Sequence, residues 1–291
     1  MRKPMELQAG RRLIQWGDWP LVMGIVNVTP DSFYDGGRFI EPEAAVEHAL
    51  QLVEEGADLL DIGAESTRPG SLPIDEREER RRLIPVVKAV AKAVNVPLSV
   101  DTSKASVARS AIDMGAVIVN DVTALRGDQE MAAVVAESQA GLVLMHMQGN
   151  PETMQQSPRY GNVVQEVFSF LSDRMQFAMS RDIARTSLIL DPGIGFGKLL
   201  ENNLELLAKL RTFTTLDRPV LAGVSRKAFI GKITDRPVED RLWGTAAAVA
   251  LAVEQGAQMV RVHDVRAMRD VVKVSAAIAR RHLLPLQEQH A

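Results

Sequence analysis

The chain has 291 residues, 46% of them hydrophobic and 24% charged, the balance of an ordinary globular protein, which excludes disordered, collagen-like and disulfide-scaffold chains. A net charge of −3 supplies no broad basic surface to neutralise phosphates, so general nucleic-acid binding lacks its electrostatic support. The absence of cysteine removes disulfides, thiolate catalysis, thiolate zinc sites and iron–sulfur clusters, and is compatible with a reducing, cytoplasmic setting.

From the amino terminus, Met1-Arg2-Lys3-Pro4 runs into polar sequence with no apolar signal segment, and is read as a short extension. Eight short apolar runs follow, at 21–26, 59–62, 98–100, 117–119, 142–145, 188–190, 220–222 and 259–262. Their brevity and near-continuous apolarity suit strands buried on both faces. Between them lie stretches of helical spacing. Residues 42–55 place Ala45, Ala49, Leu52 and Val53 on one face and end at Gly56; residues 75–94 open with acids suited to a helix amino terminus. Further helical segments follow Ser103, Gly127, Gly161, Asn202, Pro237 and Val265. The longest low-polarity run, 244–253, is Ala-rich and too short to span a bilayer, which needs about 20 residues; it reads as a packed helix, and no membrane association is expected. Strand–helix alternation is the mark of parallel α/β folds. An open doubly wound sheet fits the same alternation, but eight units without a long polar linker favour one closed (β/α)8 barrel over residues 1–291.

Each predicted strand is followed within a few residues by polar side chains: Asn27, Asp61, Asp101, Asn120 with Asp121, His146, Asp191, Ser225 with Lys227, and Arg261 with His263. Singly, such residues are turn formers or helix caps. In a barrel they converge on the carboxyl-terminal mouth, where active sites sit, and the last two loops, often a phosphate site, carry the cations. The expectation is a mouth acidic on one side and basic on the other, suited to a ligand with an N–H-rich flat end and an anionic end. The run Asp191-Pro192-Gly193-Ile194-Gly195-Phe196-Gly197-Lys198 fits neither a Walker loop nor a dinucleotide fingerprint. Its glycines read either as clearance beside a flat ligand or as a plain tight turn. Loops 29–39 and 65–71 have the Gly, Pro, aromatic and Arg content of lids, or of solvated connectors. No zinc spacing exists. A Mg²⁺ held partly by substrate phosphates remains open, with Asn27 as an oxygen donor.

Seven segments then carry a resemblance in order: Met23-Gly24-Ile25-Val26-Asn27-Val28-Thr29-Pro30-Asp31-Ser32-Phe33; Asp61-Ile62-Gly63-Ala64-Glu65-Ser66-Thr67-Arg68-Pro69-Gly70; Ser99-Val100-Asp101-Thr102; Asn120-Asp121; the run 191–198; Ser225-Arg226-Lys227; and Arg261-Val262-His263. Together they resemble the dihydropteroate synthase family, pterin-binding TIM barrels of folate biosynthesis. The resemblance implies a Mg²⁺-assisted transferase that condenses 6-hydroxymethyl-7,8-dihydropterin pyrophosphate with 4-aminobenzoate, a sulfonamide target, cytoplasmic and homodimeric. It implies that Asp101, Asn120, Asp191 and Lys227 line the pterin slot, with Met145 and Gly223 packing on the ring. Asn27, Arg261 and His263 match the diphosphate and metal side, and Thr67 and Arg68 the second loop. Phe33, Pro69, Phe196 and Lys227 match the surroundings of 4-aminobenzoate, and Lys227, Arg68, Asp101 and Asp191 carry the electrostatic part of catalysis. One departure is Ala228, where some relatives have a Ser. A corrinoid-dependent methyl transferase barrel shares the pterin-facing acids but has no need of 67–70 or 225–227; a noncatalytic homologue has no need of Arg68, Lys227 or His263, all present here.

Overall fold

The first element is a two-stranded antiparallel hairpin, β1 (Met5–Ala9) and β2 (Arg12–Trp16), turned by Gly10 at φ +60° and Arg11. A computed structural model of the chain describes residues 5–280 except 18, 29–41 and 67–69. After the hairpin, strands and helices alternate: β3 (Leu21–Asn27), α1 (Pro42–Glu54), β4 (Leu59–Gly63), α2 (Glu76–Ala93), β5 (Leu98–Asp101), α3 (Ala105–Asp113), β6 (Ile118–Asp121), α4 (Met131–Ser138) and β7 (Gly141–Met145). Then come α5 (Val163–Ser180), β8 (Leu188–Asp191), α6 (Leu200–Ala208), β9 (Leu221–Ala222), α7 (Ala228–Thr234), α8 (Leu242–Glu254), β10 (Met259–Val262) and α9 (Val265–Arg280).

All eight strands from β3 to β10 are parallel, in the order β8-β7-β6-β5-β4-β3-β10-β9. A parallel bridge between Leu190 and Val220, backed by Leu190 N–H donating to the Pro219 carbonyl at 2.8 Å, joins the two ends into a barrel. The closed barrel, rather than an open sheet, is therefore the architecture. The predicted strands agree with the observed ones to within a residue or two. The helical spacing gives no signal for α7 and starts α6 three residues late, and 238–240 form a short 3-10 turn ahead of α8. Asp75 caps α2 as its acidic opening suggested, its carboxylate accepting the Glu78 N–H at 2.8 Å.

The period of two along a strand decides what the barrel encloses. One buried cluster gathers Met23, Leu59, Ile118, Val143, Ile189, Leu221 and Met259 from seven strands, together with Leu7, Ala9 and Trp16 of the hairpin. The hairpin thereby seals the floor of the barrel. Two residues further along each strand, on the same face, stand Ile25, Asp61, Asn120, Met145, Asp191, Gly223 and Arg261, and β5 adds Ser99 and Asp101 in the same alternation. The outward residues, such as Leu60, Ile62, Val100 and Leu142, pack under the helices in the main core. An apolar floor and a polar ceiling therefore follow from one alternation.

Candidate active site

At the mouth, Arg261 reaches from β10 across to β4 and β5. Its Nε donates to Asp61 Oδ2 at 2.6 Å and its Nη2 to Asp101 Oδ2 at 3.1 Å. Asn120 Nδ2 donates to the same Asp61 oxygen at 2.9 Å. Asp61 is fully buried, and its Oδ1 has no hydrogen-bond partner among the described residues. A buried carboxylate is tolerable only when paired, and the guanidinium pairs this one. The expected division into an acidic and a basic side is thereby corrected: the cation sits between two acids, because a carboxylate in the barrel interior needs its countercharge within hydrogen-bond reach.

Around this clamp the acceptors remain open. Asp191 Oδ1 accepts the Gly193 N–H at 2.7 Å, while its Oδ2 takes no bond from the described residues; a Cβ on Gly223 would lie 3.7 Å from that oxygen, so glycine there leaves it uncovered. Asp101 Oδ1 and Asn120 Oδ1 are likewise unengaged by described residues. Burial pushes Asp101 up to about 7, against the pull of Arg261, and raises Asp191 also, opposed by the Gly193 amide and Lys227. Lys227 is pushed down to about 8, by burial first and by Arg261, with Asp191 and Asp101 acting the other way. Its ammonium lies 4.0 Å from the centroid of the Phe196 ring, a cation–π contact. Met145 joins Val122, Met147 and Met154 in a small cluster on which Phe196 packs.

His263 does not supply the positive charge expected of it. Burial and Arg261 push it down to about 3, so it is neutral near pH 7, with Nδ1 2.9 Å from Ser225 Oγ. Arg226, between Ser225 and Lys227, pairs with Asp264 through Nε at 3.0 Å and Nη2 at 2.5 Å. Asp121, one residue past Asn120 and on the opposite face of β6, closes a turn by accepting from the Thr123 and Leu125 amides; the turn-former reading holds there. Asn27, at the end of β3, is half-buried and its side chain bonds to no described residue. The glycines of the 191–198 run resolve toward the tight turn: a Cβ on Gly193 would meet the His146 carbonyl oxygen at 1.9 Å, and one on Gly197 the Gln148 carbonyl oxygen at 2.4 Å. The clearance is for backbone.

Three carboxylates, an amide, an ammonium and a guanidinium from six strands or strand ends thus share one rim. The model of the pterin-binding enzyme family matches residues 23–263, the span that contains all of them. The dihydropteroate synthase of a Synechocystis strain is 44% identical over 278 residues, 95% of this chain and 96% of that one. The chain belongs to the dihydropteroate synthase family. Among solved structures, a Xanthomonas albilineans dihydropteroate synthase with 4-aminobenzoic acid superposes with a TM-score of 0.89 at 46% identity, covering 97% of this chain and all of that one. A structure of the enzyme from the same organism in complex with 7,8-dihydropteroate gives 0.85 at 44%, covering 96% and 100%. Family membership reaches over nearly the whole length, so the barrel and its mouth are matched together.

Of the predicted site residues, Asp101, Asn120, Asp191, Lys227, Arg261, Met145, Gly223, Phe196, His263 and Asn27 all lie at this end of the barrel. Phe33, Thr67, Arg68 and Pro69 lie outside the described residues. Three features have no assigned role in the sequence reading. Asp61 was noted at a strand end but given no role; its inward position, two residues after Leu59, was the available signal. Lys198 enters the sequence reading as the last residue of the 191–198 run and has no role of its own there. Lys104 bridges Glu65 and Glu79 beside a cavity of about 220 Å³ that Asp101 also lines, and nothing in the local sequence pairs those three.

Proposed function

We infer that this chain carries out the dihydropteroate synthase reaction, condensing 6-hydroxymethyl-7,8-dihydropterin pyrophosphate with 4-aminobenzoate to give 7,8-dihydropteroate and pyrophosphate. The observation that carries the assignment of residues is the row of open acceptors, Asp101 Oδ1, Asn120 Oδ1 and Asp191 Oδ2, on the rim that also holds Lys227 and Arg261. A pterin offers an edge of N–H donors to acceptors of this kind, and Asp191 accepts from the 2-amino group and N3–H. In the reaction the C–O bond between the pterin methylene and diphosphate breaks and the C–N bond to the arylamine forms. Diphosphate departs and the amine nitrogen gives up a proton.

Charge develops on the pterin as diphosphate leaves, so the protein's contribution is electrostatic. Burial raises both Asp101 and Asp191 in the free site because it penalises the anion. A positive ring beside them favours the anion, and the attraction therefore grows along the reaction coordinate, which is the condition for catalysis by differential binding. Lys227 and the remaining face of the Arg261 guanidinium attract the diphosphate. The arylamine is neutral near pH 7 and needs no base, and no protein nucleophile is required.

Mg²⁺ belongs to the proposal. No group of three His, Asp or Glu side chains among the described residues could hold a metal ion by itself, whereas Asn27 presents one neutral oxygen, a donor set that fits an ion bound chiefly through substrate phosphates. Asn27 would hold it, and the ion would supply countercharge to the leaving diphosphate. A homodimer is proposed on a surface feature: Trp243 and Leu251 on α8, 81% and 61% exposed, and Val274 and Ile278 on α9, each 59% exposed, form apolar stripes at helical spacing on two helices packed together. Exposed apolar patches of this kind mark association surfaces. No described helix is long and apolar enough to cross a membrane; a cytoplasmic setting is part of the same proposal.

The deciding assay is pyrophosphate release from the purified chain, with product identified by mass. Release that requires the pterin diphosphate, 4-aminobenzoate and Mg²⁺ together is expected. Corrinoid-dependent methyl transfer without such release would overturn the assignment.

A further inference from the structure

Lys198 is 2% exposed and has no carboxylate within ion-pair distance among the described residues. Its ammonium is instead surrounded by acceptors from two loops: the carbonyls of Gly193 at 2.8 Å, Phe196 at 2.9 Å and His146 at 3.2 Å, and the His146 Nδ1 at 3.0 Å. A buried lysine without a countercharge is costly, and burial pushes this one down to about 7. Such a group persists where surrounding dipoles hold it in place. Here the dipoles belong to the turn that carries Phe196.

That turn cannot form from ordinary backbone. Gly193, Gly195 and Gly197 all lie in the left-handed region, at φ +69°, +87° and +59°, which curls the chain so that the Gly193 and Phe196 carbonyls converge on one point. Three further carbonyls of the turn accept from side chains: Gly195 from Gln155 at 3.0 Å, Gly197 from the Tyr160 hydroxyl at 2.7 Å, and Lys198 from Asn203 at 3.3 Å. Of these donors, Lys198 alone binds the carbonyl of Phe196 itself, and the Phe196 ring lies against the Lys227 ammonium.

We propose that Lys198 is the positioning residue of the arylamine subsite: by gathering the Gly193, Phe196 and His146 carbonyls it fixes the Phe196 ring against Lys227. It touches no substrate and acts through Phe196. The proposal rests on the reading of the site as a dihydropteroate synthase, in which Phe196 and Lys227 border 4-aminobenzoate.

The test is steady-state kinetics of Lys198→Met, Phe196→Ala and the double variant, with KM measured separately for 4-aminobenzoate and for the pterin diphosphate. Lys198→Met is expected to raise the 4-aminobenzoate KM at least fivefold and to leave the pterin KM within twofold. Because both residues act along one line, the double variant should match Phe196→Ala rather than multiply the two effects. Should Lys198→Met fail to fold, Lys198→Gln keeps a neutral donor and removes the buried charge, and a smaller rise of the same selectivity is expected. Multiplicative effects, equal rises in both KM values, or an unchanged 4-aminobenzoate KM in either variant would overturn the proposal. A wild-type chain that forms no dihydropteroate would instead overturn the functional reading beneath it.

Discussion

Asp191 bears on binding through one free oxygen. Its Oδ1 is committed to the Gly193 amide, so a pterin amino group must be met by the other carboxylate oxygen. In Asp191→Asn the amide cannot accept at both positions, and one buried donor goes unpaired. Pterin binding is expected to weaken by about 1–3 kcal/mol, read by titration calorimetry; unchanged affinity would remove Asp191 from the pterin edge. Asp101 bears on stability. Its value of about 7 is set by burial, well above that of an unfolded carboxylate. Between the ordinary carboxylate range and about 7, the folded chain holds a proton that the unfolded chain has lost. The contribution is therefore fully present at acid pH and lost as pH rises through about 7. Denaturant melts should show the wild type losing stability relative to Asp101→Asn from about pH 4 to about pH 7; a gain over that range would contradict the assignment. Both residues were legible as polar groups at strand ends. That Arg261 is clamped between Asp61 and Asp101 was not, since the three come from β10, β4 and β5, and no local pattern pairs residues 200 positions apart.

The β8–α6 turn is the element on which the site's precision depends. Its sequence announces a tight turn by glycine content, but not what the glycines clear. Gly193 combines φ +69° with a Cβ position 1.9 Å from the His146 carbonyl oxygen, and a side chain there meets both backbone strain and a clash with main chain that cannot rotate away. Strain in the left-handed region alone costs about 1–3 kcal/mol. Gly193→Ala is expected to lower thermal stability by at least that much and to raise KM values. Gly70, at φ +81° with open space at its Cβ, should suffer only the strain, which makes Gly70→Ala the control in the same melting experiment. The β1–β2 hairpin is hard to read from sequence for a physical reason: its inward residues, Met5, Leu7 and Ala9 on one strand and Ile14 and Trp16 on the other, do alternate, but each strand is only five residues long and offers two or three apolar positions in a polar stretch. The hairpin is recognisable only when the barrel floor that it covers is seen.

At the scale of the molecule, eight parallel strands place every inward ceiling residue within reach of the others. The outer surface then carries the remaining question of assembly. If the α8 and α9 stripes join two copies, Leu251→Asp buries a charge against an apolar partner and should give a monomer in sedimentation velocity, with the wild type a dimer. A wild type that sediments as a monomer at every concentration would leave the exposed Trp243, Leu251, Val274 and Ile278 without that role.

Taken by itself, the order of residues was enough to determine the barrel class, the eight strands, most of the helices and the polar groups at the mouth, because hydrophobic period and turn chemistry are local and repeat along the chain. Only the tertiary structure decided that the hairpin is a floor, that Arg261 stands between two carboxylates, that burial leaves His263 neutral, and that Lys198 holds a turn together. Each of these depends on desolvation and on distances between residues far apart in the chain, and neither quantity exists until the strands have closed around the interior.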